Sequence, residues 1–240
     1  MIQEFDSQVR YSECDQDANL SLGGIVNYFQ DVSSFQGEDG GIGIDYLQEN
    51  HLAWILSFWQ IIIRRRPRIA EKIKAQTWAY GFNSFYGLRN FTLLDARGEK
   101  AAYANSVWVL MDTERLRPVK ANQKMLDTYG VEEPLKMDYA PRKVREPQDM
   151  VPGERFEVVR YHLDTNHHVN NGQYISMAQE SLPEGFPIRE IRVEYKKQAH
   201  LGDGITPYTY EDKNRMTVSL RSDEGKTYAV AEFLRACGED

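Results

Sequence analysis

Cysteine is scarce in this chain: Cys14 and Cys237 stand near opposite ends of 240 residues. They show no metal-ligand spacing and no set of pairs, which excludes a disulfide scaffold or a zinc knuckle and leaves two reduced thiols. Long apolar runs are missing as well. The run at Trp59–Ile63 is broken by Gln60 and stopped by Arg64, far short of the eighteen or so residues of a membrane span. Basic excess is also lacking. A formal charge of -7 argues against a general nucleic-acid binder, which needs a basic surface to displace counterions. The opening stretch, Met1 to Asp15, has no basic n-region, no apolar h-region and no Arg-rich transit pattern, so a cytoplasmic location without membrane insertion is expected.

What the chain does have is a copy of itself. "VRY" occurs at Val9-Arg10-Tyr11 and again at Val159-Arg160-Tyr161. With one extra residue allowed in the first copy, "DQDANLSLGGIVNYFQ" from Asp15 lies over "DTNHHVNNGQYISMAQ" from Asp164, matching Asp15 to Asp164, Gly23 to Gly172 and Gln30 to Gln179. A second block lays "IIIRRRPRIAEKI" (Ile61–Ile73) over "VEYKKQAHLGDGI" (Val193–Ile205), basic on basic and apolar on apolar. The hairpin signal "DARGEK" from Asp95 answers "SDEGK" from Ser222.

Each half therefore reads as strand, loop, helix and then several strands. Ile25, Phe29 and Val32 mark the first helix; Ile175, Ala178 and Leu182 mark the second, which Pro183 ends. The later strands alternate as antiparallel strands with one solvated face do. The expectation is an α+β protein: an N-terminal unit over 1–112, a linker over 113–152 with five prolines and no lasting periodicity, lying along the surface, and a C-terminal unit over 153–240.

The two copies differ in the loop before each helix. The first carries Asp15, Asp17 and Asn19; the second carries Asp164, Asn166 and His168. In an extended segment side chains alternate, so Asp164, Asn166 and His168 would point to one side and converge on one substrate atom. Asn170, Asn171 and Gly172 then open a helix whose unpaired N–H groups suit a developing oxyanion. That is the equipment of acyl transfer, with His168 as an acid/base group. The same residue types also serve as helix caps and loop formers. A zinc set of His162, His167 and His168 is disfavoured, because neighbours on an extended segment point oppositely and no fourth ligand is spaced to help. Cys14 as a nucleophile needs a histidine brought to it, and the matching loop of its own half carries none.

The run Asp164-Thr165-Asn166-His167-His168-Val169-Asn170-Asn171, taken with the duplication, resembles the hallmark of the acyl-acyl carrier protein thioesterases in their shorter bacterial form. The resemblance implies two tandem hot-dog units, each a curved antiparallel sheet wrapped round a long helix. It implies hydrolysis of a fatty acyl thioester on the phosphopantetheine arm of acyl carrier protein, ending elongation, with Asp164, Asn166 and His168 as catalytic residues. The family often carries a glutamate where Gln198 follows Tyr195-Lys196-Lys197, and in plant relatives a cysteine follows it where Ala199 stands. An amide positions water but cannot accept its proton. Two routes stay open: His168 deprotonates a water held by Asn166 and Gln198, or Asp164 attacks the carbonyl.

The resemblance also assigns the acyl pocket to the N-terminal unit, where Phe29, Phe35, Trp54, Ile55, Phe58 and Trp59 form a pool of candidates that equally suits a plain core. Arg64, Arg65, Arg66, Lys196 and Lys197 are candidate contacts for an acidic carrier, or charges that protect a sheet edge. No cofactor is expected, and the chain could be a monomer or a homodimer. The rival readings are an acyl-coenzyme A thioesterase, for which "GGIG" at Gly40–Gly43 offers no phosphate-cradling motif, and an acyl-thioester-binding sensor.

Overall fold

Alternating apolar and polar residues, punctuated by glycine turns, build antiparallel strands in both halves of the chain. The structure is a computed structural model, and it describes residues 1–236; Cys237 lies outside the described residues. The elements in chain order are β1 (Gln3–Gln8), α1 (Leu22–Asp39), α2 (Ile44–Glu49), β2 (Leu52–Ile63), β3 (Lys72–Asn83), β4 (Tyr86–Asp95), β5 (Lys100–Asp112), β6 (Arg117–Pro118) and α3 (Gln123–Tyr129). They continue as β7 (Val151–Pro152), β8 (Phe156–Glu157), α4 (Asn171–Gln179), β9 (Ile188–Tyr195), β10 (Gly204–Glu211), β11 (Arg215–Ser222) and β12 (Thr227–Arg235). No helix among the described residues is long and apolar enough to cross a membrane.

Two compact units emerge. The first comprises Met1–Ser57 and Ile63–Tyr139; the second comprises Phe58–Ile62 and the chain from Ala140 onward. In the first, antiparallel pairings join β1 to β3, β3 to β4 and β4 to β5. Helix α1 packs on this sheet. Ser21 Oγ accepts the Gly24 N–H at 3.0 Å and caps it. Ile25, Phe29 and Val32, the residues of its apolar spacing, are buried, and the Phe29 ring lies 5.3 Å from that of Phe91 on β4. Burial of each such side chain stabilises by about 1.5–3 kcal/mol.

In the second unit β9, β12, β11 and β10 pair in that order, all antiparallel, and the short β7 and β8 pair with β10. Residues Phe58–Ile62 of β2 pair with β9 on its other side. Helix α4 is capped by Asn170, whose Oδ1 accepts the Gly172 N–H at 2.8 Å. Ile175 and Ala178 are buried as their spacing requires. The helix has 9 residues against 18 in α1, so the expected long second helix is half that length and Leu182 falls beyond its end. Both units thus have the α+β hot-dog plan, with a long helix in the first alone.

The hydrogen bonds repeat as closely as the sequence does. Both expected hairpins form, with Gly98 and Gly225 at φ 79° and 77° and their N–H groups on Asp95 O and Ser222 O. The "VRY" match, however, is displaced by one residue. Val9 N–H donates to Glu71 O, and the bond that answers it runs from Val158 to Asp203 O, not from Val159. Val9 and Val158 are both buried while Val159 is exposed. One offset of 149 therefore holds from Val9/Val158 onward, and no extra residue is needed.

The stretch over 113–152 is less featureless than its prolines suggest. It holds β6, α3 and β7, and Met125, Tyr129 and Val144 are buried rather than lying along the surface. A seven-residue helix is too short to show a period, and Asn122, which caps it through Oδ1 to the Met125 N–H, also reads as a loop residue.

Candidate active site

The loop from Asp164 to His168 is a turn, not an extended segment. Asp164 Oδ1 accepts the N–H groups of Asn166 at 2.8 Å and His168 at 3.2 Å. The Asp164 N–H donates to His168 O, and the His167 N–H to Asp164 O. The flanks close in an isolated bridge between Leu163 and Val169. Within this Asx turn His167 takes a positive φ of 60°. Side chains at 164, 166 and 168 are consequently not aligned by strand alternation. Asp164 and His168 are half-buried, while Asn166 and His167 are exposed.

The first unit contains the same turn. Asp15 Oδ1 accepts the N–H groups of Asp17 and Asn19, Ala18 takes φ 59°, and Cys14 bridges Leu20. Cys14 is half-buried and its thiol donates to Arg10 O. The aspartate is therefore a loop former in both copies. What separates the copies is the contents of the turn: Asn19 in one, His168 in the other.

A second separation lies opposite the turn. In the first unit Arg66 forms an ion pair with Asp15. Leu20 N–H donates to Pro67 O there, and Val169 N–H to Ala199 O in the second unit, so Gln198 holds the place of Arg66. Gln198 is exposed and leaves Asp164 without the guanidinium that ties down Asp15. One step further, Asn19 bridges Arg68 in the first unit; the second has His200 at that place. The imidazoles of His168 and His200 meet edge to face, 4.8 Å between centroids at 71°. Burial pushes His168 below the usual histidine range. The charge of His200 pushes the same way, and Asp164 opposes it. A neutral imidazole at pH 7 can accept a proton. His162 is also pushed down by burial, and its Nδ1 accepts the Val159 N–H, so it belongs to the fold of the loop.

At the start of α4, Asn170 Oδ1 holds the Gly172 N–H and Asn170 O holds the Gln173 N–H at 2.9 Å. Both donors are thus occupied within the helix cap. Asn171 O accepts the Tyr195 hydroxyl at 2.9 Å, and the buried Tyr174 hydroxyl accepts the Ala199 N–H at 2.8 Å. Burial pushes both phenols up, so each stays protonated. These tyrosines brace the turn and the segment opposite it. Sequence reasoning missed both of them, along with His200. Laying the second repeated block over the first places His200 on Arg68, and that was the available signal.

The candidate apolar residues are divided. Phe29 and Trp54 are in the first unit, where Trp54 lies 6.4 Å from Phe82 and 6.3 Å from Tyr129, beside a buried cluster of Ile42, Ala79, Leu110 and Met125. Phe35 is 44% exposed and packs edge-on against Phe5. Phe58 and Trp59 are fully buried and group with the second unit. Of the basic candidates, Arg65 is bound to Glu71 and Asp95, Arg66 to Asp15, and Lys196 to Glu146 at 2.6 Å. Arg64 lies over the Tyr103 ring and Lys197 over that of Tyr228. Lys100 shares Tyr103 with Arg64, and both border one charged cleft.

Comparison with known proteins shows the family of the chain. The model of the acyl-ACP thioesterase N-terminal domain matches residues 3–129, and that of the C-terminal domain matches residues 146–234. The chloroplastic oleoyl-acyl carrier protein thioesterase 2 of Arabidopsis thaliana is 24% identical over 241 residues; the match takes in 91% of this chain, which spans 66% of that relative's length. Among solved structures, an acyl-ACP thioesterase from Bacteroides thetaiotaomicron superimposes with a TM-score of 0.88 at 25% identity over 97% of each chain. The 12:0-ACP thioesterase of Umbellularia californica superimposes with a TM-score of 0.83 at 18% identity, over 97% of this chain and 96% of its own.

Proposed function

The chain belongs to the acyl-ACP thioesterase family, and from that premise we propose that it hydrolyses fatty acyl thioesters of acyl carrier protein to the free fatty acid and the carrier thiol. The observation that carries the reading is the imidazole of His168, set in a turn whose counterpart in the first unit holds Asn19. His168 takes a proton from water as that water attacks the thioester carbonyl, and the tetrahedral intermediate then expels the thiolate, which recovers the proton from His168. Asn166 and Gln198, both exposed polar amides, are assigned to hold the water. Asp164 holds the turn that presents His168. That role leaves its Oδ1 occupied, which favours the water route over attack by Asp164 itself.

Phe29, Trp54 and Phe58 are assigned to the acyl chain. Arg64, Lys100 and Lys197 are assigned to the acidic carrier, since Arg65, Arg66 and Lys196 already have carboxylate partners. A cytoplasmic site of action belongs to the same proposal. The test is release of free fatty acid from carrier thioesters of increasing chain length, beside the matching coenzyme A thioesters, with the unmodified protein and His168→Ala. Length-dependent release from the carrier form that collapses in the variant is expected. Undiminished turnover by His168→Ala refutes the site, and preference for coenzyme A refutes the substrate.

A further inference from the structure

We infer that His200 is a positioning residue of the proposed hydrolysis, holding the His168 ring edge-on and keeping it in the proton-accepting form. The inference rests on the hydrolase reading above and extends it to a residue outside the Asp164–Asn171 run. Three observations carry it. The two rings are 4.8 Å apart at 71°, near enough for a charge on one to disfavour a charge on the other. The place of His200 is fixed by backbone: its N–H donates to Asp203 Oδ2 at 2.9 Å, and the Asp203 N–H donates to His200 O at 3.0 Å. Finally, the two equivalent positions of the first unit, Asn19 and Arg68, hold neither imidazole, so both appear together in the unit whose turn has no arginine clamp.

The groups around His168 are few. Asp164 and His167 flank it on its own loop, His200 faces it from the segment after β9, and Tyr174 rises from α4 toward Ala199. Asp203 Oδ2, which accepts the His200 N–H, also accepts the Tyr228 hydroxyl at 3.0 Å. With two imidazoles in contact, one proton can be shared by the pair but a second is repelled. As a consequence His168 works to lower pH than an isolated histidine would.

The experiment records kcat/KM for an acyl-carrier thioester from about pH 5 to about pH 9 and follows the His168 imidazole by NMR titration, in the unmodified protein, His200→Gln and His200→Arg. With His200→Gln the acid limb and the His168 midpoint should both rise, by about 0.5 pH unit or more. With His200→Arg, the residue type native to this place in the first unit, both should stay at or below their original values. A His200→Gln protein whose midpoint does not move overturns the inference, whatever its kcat. Should that variant fail to fold, a His168 midpoint raised in His200→Arg overturns it equally. If the unmodified protein hydrolyses no acyl thioester, the hydrolase reading fails, while the NMR midpoints still decide the role of His200.

Discussion

Replacing Asp164 tests whether its carboxylate serves the turn or the chemistry. Its Oδ1 accepts two N–H bonds, at 2.8 and 3.2 Å, and both are lost in Asp164→Ala. Hydrogen bonds to a charged acceptor contribute about 1.5–3 kcal/mol each, and a half-exposed turn with one long bond sits at the low end, so the cost is about 2–3 kcal/mol. For a chain of this size that lowers Tm by roughly 4–12 °C. The first unit supplies the control, because Asp15→Ala removes the same two bonds together with the Arg66 pair and should cost at least as much. Asp164→Asn keeps an acceptor oxygen, so it should hold Tm within about 2 °C and keep most of the hydrolysis. Calorimetry and a fatty-acid release assay on the three variants read both quantities. A loss of activity beyond about 100-fold in a fully stable Asp164→Asn would place the carboxylate in the reaction and refute the assignment.

Gln198→Arg should recreate the clamp seen between Arg66 and Asp15, raising stability by up to about 1 kcal/mol while reducing turnover, as a denaturant melt beside a rate measurement will show. His167 is exposed at φ 60°, so His167→Gly relieves a left-handed residue and should raise Tm by a few degrees with activity within about twofold. For the pH dependence of stability, the folded state holds His162 and His168 below the usual histidine range, so it binds fewer protons than the unfolded chain. Their contribution is present above about pH 6.5 and is lost as pH falls through the lowered folded values, and a melt series over that window should flatten in His162→Gln and His168→Gln.

The tandem plan was legible because period and composition survive duplication: the hairpins at Gly98 and Gly225 and the helix-opening residues Ser21 and Asn170 fall where the repeat puts them. What failed was local. The spacing of Asp164, Asn166 and His168 fits a strand as well as it fits a turn, and what distinguishes them is the bonding of Asp164 and the positive φ of His167, a residue type that tolerates that conformation without demanding it. The Val159 match misled because three letters coincided one place out of register, which burial of Val158 reveals and spelling cannot. His200 was overlooked because its partner lies 32 positions away in sequence, across a pairing that exists only once the chain has folded. The basic candidates were read as free charges, and no pattern in "RRRPR" reveals that Glu71, Asp95 and Asp15 already hold two of them.

The five residues from Phe58 to Ile62 pair with β9 and count with the second unit, although more than seventy residues separate them from the rest of it. A fragment beginning at Ala140 would thus be born with a gap: Ile188–Tyr195 would present an unpaired edge with Ile191 and Val193 on it, an invitation to neighbouring chains. Synthesis order matters for the same reason. By the time the ribosome reaches the candidate active-site turn, the missing strand has long been waiting, so the half proposed to carry the chemistry depends for its completion on the half made first.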